Sequence, residues 1–373
     1  VPFCARKCDY CAFYSEATSG PLIERYVSAL IRELELVAGD LRPTTVFFGG
    51  GTPSLLTVGQ WERIIAAMDR LRLTGAAEWT VECNPATVSL DKARFLRAAG
   101  VNRISLGVQS LDPGLLERLG RVHTRTMALR SFEVLRRAGF DNVNVDLMFA
   151  IPGQTLAAWR ATLREALALE SEHLSCYEVT YEEDTPLYEQ LRAGRFQADD
   201  DLACAMYEEL LGLAAERGFD QYEVSNFARP NGGADGHPPG RACRHNSNYW
   251  RGGSYYGLGP SAAGYVGGVR TKNWSSTRLY CEQLEGGRRA IESHDRLSPL
   301  ARAGEIAGFG LRMNAGWSFR QFLATTGFDL RRDWAVELDR LVQQGWGWLR
   351  ADGFGLTPVG LRFADAAAEQ FLR

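Results

Sequence analysis

The sequence carries almost no net charge: 42 Lys and Arg stand against 45 Asp and Glu, leaving −3. That balance gives no global attraction to nucleic acid or to an anionic membrane surface. No apolar run approaches the roughly twenty residues of a membrane-spanning helix. No secretory signal pattern opens the chain either. The absence of any C-x-x-C-H removes covalent c-type haem attachment. Eight cysteines lack regular spacing beyond the first three. This argues against a disulfide framework and for a reducing compartment, so the expected location is the cytoplasm. There is no initiator methionine, and a segment upstream of Val1, a strand included, is expected to be missing.

What is present begins at once. Cys4, Cys8 and Cys11 lie close together in VPFCARKCDYCAFYS. On a straight helix Cys4 and Cys11 would stand roughly 10 Å apart along the axis, with the thiols along one stripe. A cubane needs a loop, and Pro2, Asp9 and Tyr10 favour one. Four thiolates saturate a [4Fe–4S] cluster, whereas three leave one iron open to a small-molecule ligand. The alternatives are a zinc site, which would want a fourth nitrogen or sulfur ligand nearby when the first histidine is His123, and three unpaired structural thiols.

Downstream, short β-rich runs alternate with amphipathic helical stretches. The pattern predicts strands near Thr44–Phe48, Trp79–Glu82, Arg103–Leu106, Val143–Leu147 and His173–Val179. Helices are predicted near Leu22–Val37, Gln60–Leu71, Leu90–Ala99, Met127–Ala138 and Leu156–Leu169. Such alternation implies a parallel sheet with right-handed crossovers. With the missing strand added there are six βα units, too few for a closed eight-stranded barrel, so the expected fold is an open, partial (β/α)6 barrel. In barrels of this kind the chemistry sits where strands run into loops.

The unusual residues fall at those places. After Phe48 comes Gly49-Gly50-Gly51-Thr52-Pro53-Ser54, where glycines let backbone approach a ligand and the proline stiffens the exit. Glu82, Gln109 and Asp146 recur at or near the ends of successive strands, where they can converge on one ligand. Asp91 and Asp112 read instead as helix-capping or turn residues.

Taken together, the Cys4, Cys8, Cys11 spacing and the Gly49–Pro53 loop resemble the radical S-adenosylmethionine (SAM) superfamily. The resemblance implies a [4Fe–4S] cluster on those cysteines with SAM on its open iron. It puts Tyr10 beside the cluster and Gly50, Gly51 and Thr52 against the methionine part of SAM. Glu82, Gln109, Arg121 and Asp146 match positions that bind SAM, or a second SAM. Arg121 also reads as a solvated helix-end cation. Within the superfamily the similarity narrows to the HemN/HemW group, through VFFGGGTPSLL, NRISLGVQSLD, DLMFAIPGQT, YEVSNFARP and CRHNSNYWRGGSYYGLGPSA. Dehydrogenases of the group carry a further cysteine two residues after the third. This chain has Phe13 there, as chaperone-type members do, which argues against coproporphyrinogen dehydrogenase activity.

The stretch Cys243–Trp250 resembles the H-N-x-x-Y-W motif linked to haem binding in that chaperone-type branch, which implies haem b held by His245, Asn246, Tyr249 and Trp250. An imidazole can ligate haem iron and aromatic rings offer flat apolar faces to a porphyrin. Arg241, Arg244 and Arg251 could pair with propionates. Cys243 competes as axial ligand, and His245 also reads as a core histidine bonded to Asn246. The resemblance further implies haem-requiring acceptor proteins, membrane-associated respiratory enzymes among them, and allows a homodimer.

The expected organisation is a core over 1–225, a linker with the haem motif over 226–290, and a smaller C-terminal domain over 291–373. The Gly/Pro-rich lead-in ARPNGGADGHPPG predicts a mobile loop with His237 exposed. Helices near Arg302–Met313, Phe319–Thr325 and Arg332–Gln344, two strands at Gly347–Arg350 and Gly353–Thr357, and a last helix through Phe371 suggest a winged-helix-like module. It lacks the dense basic stripe of a nucleic-acid reader. Trp317, Trp334, Trp346 and Trp348 are expected in its core. The rival functions are oxidative decarboxylation of coproporphyrinogen III, another radical SAM reaction, and a zinc-dependent binding module.

Overall fold

The computed structural model describes residues 1–17, 19–230 and 240–372. His237 and most of its glycine-rich stretch lie outside them. The chain divides into two compact units. One comprises residues 1–219, 258–262 and 273–292; the other comprises 220–257, 263–272 and 293–373.

The first unit is a β/α repeat. It opens with β1 (Phe3–Cys4), β2 (Glu16–Ala17) and α1 (Gly20–Val37), followed by β3 (Thr45–Phe48), α2 (Val58–Arg70), β4 (Glu78–Cys83) and α3 (Leu90–Ala98). It continues through β5 (Arg103–Gln109), α4 (Pro113–Arg118), α5 (Arg125–Arg137), β6 (Val143–Phe149), α6 (Leu156–Leu167), β7 (His173–Glu178), α7 (Pro186–Arg192) and α8 (Asp200–Glu216). Strands β3 to β7 pair in chain order, all parallel. The five strands and five helices read from the sequence are all present, with ends within a few residues. Helices α4, α7 and α8 are additional. Asp112 caps α4 through its side chain, as expected, by accepting from the Leu115 N–H.

Strand periodicity separates two faces. Trp79, Val81, Ile104, Leu106, Val108, Val143, Val145, Leu147, Leu174 and Cys176 are all buried on the apolar one. The opposite face carries Thr80, Glu82, Arg103, Ser105, Asn144, Asp146, His173 and Ser175. Asn144 knits it together: its Nδ2 donates to Ser105 Oγ (2.7 Å) and Asp146 Oδ1 (2.7 Å), and its Oδ1 meets His173 Nδ1 (2.7 Å). A parallel sheet with one polar inner face is a barrel wall built around a polar site.

Residues 258–262 and 273–292 pack back onto α1 through one buried carboxylate. Glu33 accepts from Gly259 N–H (2.8 Å), Asn273 Nδ2 (2.9 Å) and the Tyr280 hydroxyl (2.7 Å).

In the second unit a core of Trp317, Phe322, Leu330, Trp334, Leu338, Leu341, Phe354 and Phe371 lies under helices Pro299–Gly310, Phe319–Thr326 and Ala335–Gln343. Strands Trp317–Ser318, Gly353–Leu356 and Gly347–Leu349 form a small antiparallel sheet beside them. These are the helices and wing of the expected module. The helix expected over 332–344 is broken at Trp334, whose indole is fully buried and donates to Phe371 O (3.2 Å) while its backbone leaves the helical region. Trp317 is likewise core. Trp346 and Trp348 are only half-buried, the first stacked on Phe363 at 4.6 Å, the second under the Arg350 guanidinium.

Candidate functional site

The cysteine stretch is a loop, as three thiols around a cluster require. It is held on three sides by backbone hydrogen bonds. Gly51 N–H donates to Val1 O (2.7 Å) and Thr52 N–H to Phe3 O (2.8 Å). Asp9 N–H donates to Leu119 O after α4, and Asp9 O accepts from Leu187 N–H at the start of α7. Cys11 N–H closes a turn onto Cys8 O. Helices α4 and α7, absent from the sequence reading, are therefore part of what positions the loop.

The glycine loop owes its composition first to this packing. A Cβ on Gly51 would stand 2.7 Å from Phe3 O and 2.9 Å from Val1 O, and Gly50 has φ +102°. Such contacts and dihedrals are open to glycine and strained for other residues. Gly50 N–H donates to Glu82 Oε2 (3.2 Å).

Cys4, Cys8 and Cys11 are free and half-buried. Cys4 Sγ accepts from the Thr52 hydroxyl and Cys8 Sγ from Arg121 Nη1, each at 3.5 Å. Burial, with Cys8 and Cys4 nearby, pushes the Cys11 thiol up. Among the described residues no three His, Cys, Asp or Glu side chains converge closely enough to hold a single metal ion. Three thiols, two of them accepting from the Thr52 hydroxyl and the Arg121 guanidinium, are a donor set that would suit a [4Fe–4S] cluster with one iron left open.

Glu82, Gln109, Arg121 and Asp146 are brought to the same end of the sheet. Gln109 ends β5 at φ +63°, where the pairing with β6 shifts. A non-glycine residue in the left-handed region at a strand end is strain of the kind stored at functional sites. Burial, then the nearby Asp146, raises Glu82 to about 7; burial likewise raises Asp146, against hydrogen bonds from Ser105 and Asn144. Arg121 Nη2 donates to Gly107 O (2.7 Å). Burial works against its charge, but Tyr10 and Cys8 beside it hold its pKa up. This is a half-buried cation committed to directed contacts and not a solvated helix end.

A raised carboxyl costs stability when it ionises. The unfolded Glu82 titrates near 4.5 and the folded one near 7, so stability falls as pH rises between those values. Without added ligand, Glu82→Gln is expected to be more stable than the parent at pH 8 by about 1–2 kcal/mol, discounted for partial solvent access, and equal to it at pH 4. Urea denaturation at both pH values checks this; equal stability at pH 8 would contradict it.

The haem-motif residues lie in the second unit, on the short helix Arg244–Trp250 with Cys243 at its N-cap. His245 Nε2 and the Tyr249 hydroxyl are 2.7 Å apart, one turn along the helix, and the rings meet edge-on at 4.9 Å. Tyr255 packs on Tyr249 at 4.5 Å. Asn246 is half-buried beside them. Trp250 turns inward, its ring under the Arg312 guanidinium (5.0 Å) and its indole N–H buried without a partner. Arg251, a candidate for the propionates, lies over Trp317 and donates to Gly316 O (2.6 Å). Cys243 is buried and its N–H donates to the Tyr222 hydroxyl.

Parallel strands forming an open barrel, with a three-cysteine loop packed against the glycine turn at a strand end, define a radical SAM protein. The profile of the radical SAM superfamily matches residues 1–166. Heme chaperone HemW of Escherichia coli K12 is 34% identical over 383 residues, covering 100% of this chain and 96% of its own length. Heme chaperone HemW of Bacillus subtilis 168 is 34% identical over 352 residues, covering 92% and 90%. The mitochondrial radical S-adenosyl methionine domain-containing protein 1 of Mus musculus is 38% identical over 335 residues, covering 84% and 72%. In fold, the chain matches coproporphyrinogen III oxidase HemN from Escherichia coli with a TM-score of 0.84 at 20% identity, over 100% of this chain and 88% of that one. The chain belongs to the HemN/HemW group of the radical SAM superfamily. That membership implies a [4Fe–4S] cluster and SAM as cofactors. No helix among the described residues is long and apolar enough to cross a membrane.

Proposed function

We propose that the chain is a cytoplasmic haem chaperone. Its Cys4, Cys8 and Cys11 hold the cluster, and Tyr10, Gly50, Gly51, Thr52, Glu82, Gln109, Arg121 and Asp146 bind SAM. His245, Asn246, Tyr249 and Trp250 hold haem b non-covalently, for transfer to haem-requiring proteins such as membrane-associated respiratory enzymes.

The observation that carries the reading is the setting of His245. Among the described residues, His123 and His173 are buried and His294 is exposed, while His245 is half-buried among tyrosine rings. Whole-length similarity to proteins named heme chaperones supports it. So does Phe13, 72% exposed where dehydrogenases of the group have a cysteine.

When bound, the cluster supplies an electron and an iron open to SAM. The protein's own part is to orient and neutralise. Arg121 brings a positive charge beside Cys8 that would neutralise an anionic ligand group there, and Glu82 and Asp146 offer acceptors to amino and hydroxyl groups.

His245→Ala is expected to weaken haem binding at least tenfold, read by absorbance titration of the anaerobically reconstituted protein, with iron and sulfide content unchanged. Unaltered affinity would remove His245 from the site. Phe13 also bears on the rival reading: conversion of coproporphyrinogen III to protoporphyrinogen with reductant and SAM would make the protein a dehydrogenase instead.

A further inference from the structure

Arg121 reaches the cysteine loop from a segment with no regular structure, the turn between α4 and α5. A long cationic side chain leaving such a turn has many rotamers, yet this one makes three directed contacts. Nη1 donates to Cys8 Sγ (3.5 Å), Nη2 to Gly107 O (2.7 Å) and Nε to His123 Nδ1 (3.3 Å). His123 is 3% exposed, and its Nε2 lies 3.0 Å from Val108 O. That carbonyl can only accept, so Nε2 carries the ring hydrogen and Nδ1 is the lone-pair nitrogen facing Arg121. The strand thus grips the guanidinium twice, directly at Gly107 and through the imidazole at Val108, and points the remaining N–H groups at one thiol.

We infer that His123 is a positioning residue that fixes the Arg121 guanidinium against Cys8 and thereby sets the reduction potential of the cluster held there. Burial and the adjacent Arg121 charge lower His123 to about 4. The ring therefore stays neutral, and able to accept, over the whole physiological range. A fixed positive charge and an N–H donor at a ligating sulfur both favour the more negative, reduced cluster, so they raise its potential. Without the imidazole, Arg121 keeps its Gly107 contact but loses the one that orients its Nε edge, and Nη1 is free to swing from the sulfur.

The inference rests on the reading of Cys4, Cys8 and Cys11 as cluster ligands, and the experiment separates the two. Iron and sulfide are first measured on the reconstituted parent protein; a parent that takes up no cluster overturns that reading, and the inference with it. With the parent loaded, the midpoint potential is measured by anaerobic mediated titration followed by electron paramagnetic resonance. His123→Leu, which fills the space but accepts nothing, is expected to lower the ratio of reduced to oxidised cluster at fixed potential about tenfold, some 59 mV for a one-electron couple. His123→Gln can accept from Arg121 and donate to Val108 O, and is expected to stay within about twofold of the parent. His123→Met replaces the leucine variant if that fails to fold. A loaded leucine or methionine variant with the parent's potential overturns the inference. So does a glutamine variant shifted as far as the leucine one, since a merely space-filling role would not distinguish them.

Discussion

Gly51→Ala is expected to abolish cluster binding, leaving less than a tenth of the parent's iron and sulfide after reconstitution. The added methyl group would stand 2.7 Å from Phe3 O, 2.9 Å from Phe3 N and 2.9 Å from Val1 O. These are backbone atoms, with no flexible side chain to yield. Relief therefore requires the Gly49–Pro53 loop and the stretch leading into Cys4 to part, breaking the hydrogen bonds from Gly51 N–H to Val1 O and from Thr52 N–H to Phe3 O. Cys4 moves with them. The overlap is expected to cost about 2–4 kcal/mol of stability as well, in the range of other overpacked sites. Full iron content in a folded Gly51→Ala protein would show that the glycine turn does not carry the cysteine loop.

Glu33→Leu is expected to destabilise the first unit by about 3–5 kcal/mol, read as a loss in urea denaturation at pH 7. The substitution is close in size and removes a buried carboxyl that burial pushes up, which by itself would favour the variant. The opposing effect is larger. Gly259 N–H, Asn273 Nδ2 and the Tyr280 hydroxyl all lose their acceptor in a buried place, at about 1–3 kcal/mol for each group left unpaired. Only Asn273 has a second acceptor, Gly259 O. A variant as stable as the parent would show that residues 258–262 and 273–292 are fastened to α1 by other contacts.

These two residues mark the limits of what the sequence discloses. Gly51 stands in a triple-glycine turn that any reading would single out, yet the turn suggested a ligand's approach, whereas the nearest constraint is the protein's own backbone at Val1 and Phe3. Glu33 gives no signal at all. It is one acidic residue in an amphipathic helix, and its three partners lie 226 to 247 positions away. The parallel strands were legible because each is a compact β-rich run between strong helices, and Glu82 and Asp146 because they interrupt such runs at comparable places. Helices α4 and α7 are only six and seven residues long, too short for a periodic pattern to stand out, and α8 lies beyond the last strand read from the β/α alternation, capped by Asp199. In the sequence His123 is only the first histidine, far from the cysteines, and its place beside them depends on Arg121 and Val108 meeting around it. No spacing encodes that.

The most direct test of the account is haem transfer. The protein, reconstituted with its cluster and loaded with one equivalent of haem, is mixed under anaerobic conditions with an apo-globin, and the globin spectrum is followed. The account predicts saturable loading followed by transfer of the haem to the globin, with loading lost in the His245→Ala variant. Haem that binds without saturation, or that never leaves, would contradict a chaperone and return the chain to the catalytic members of its superfamily.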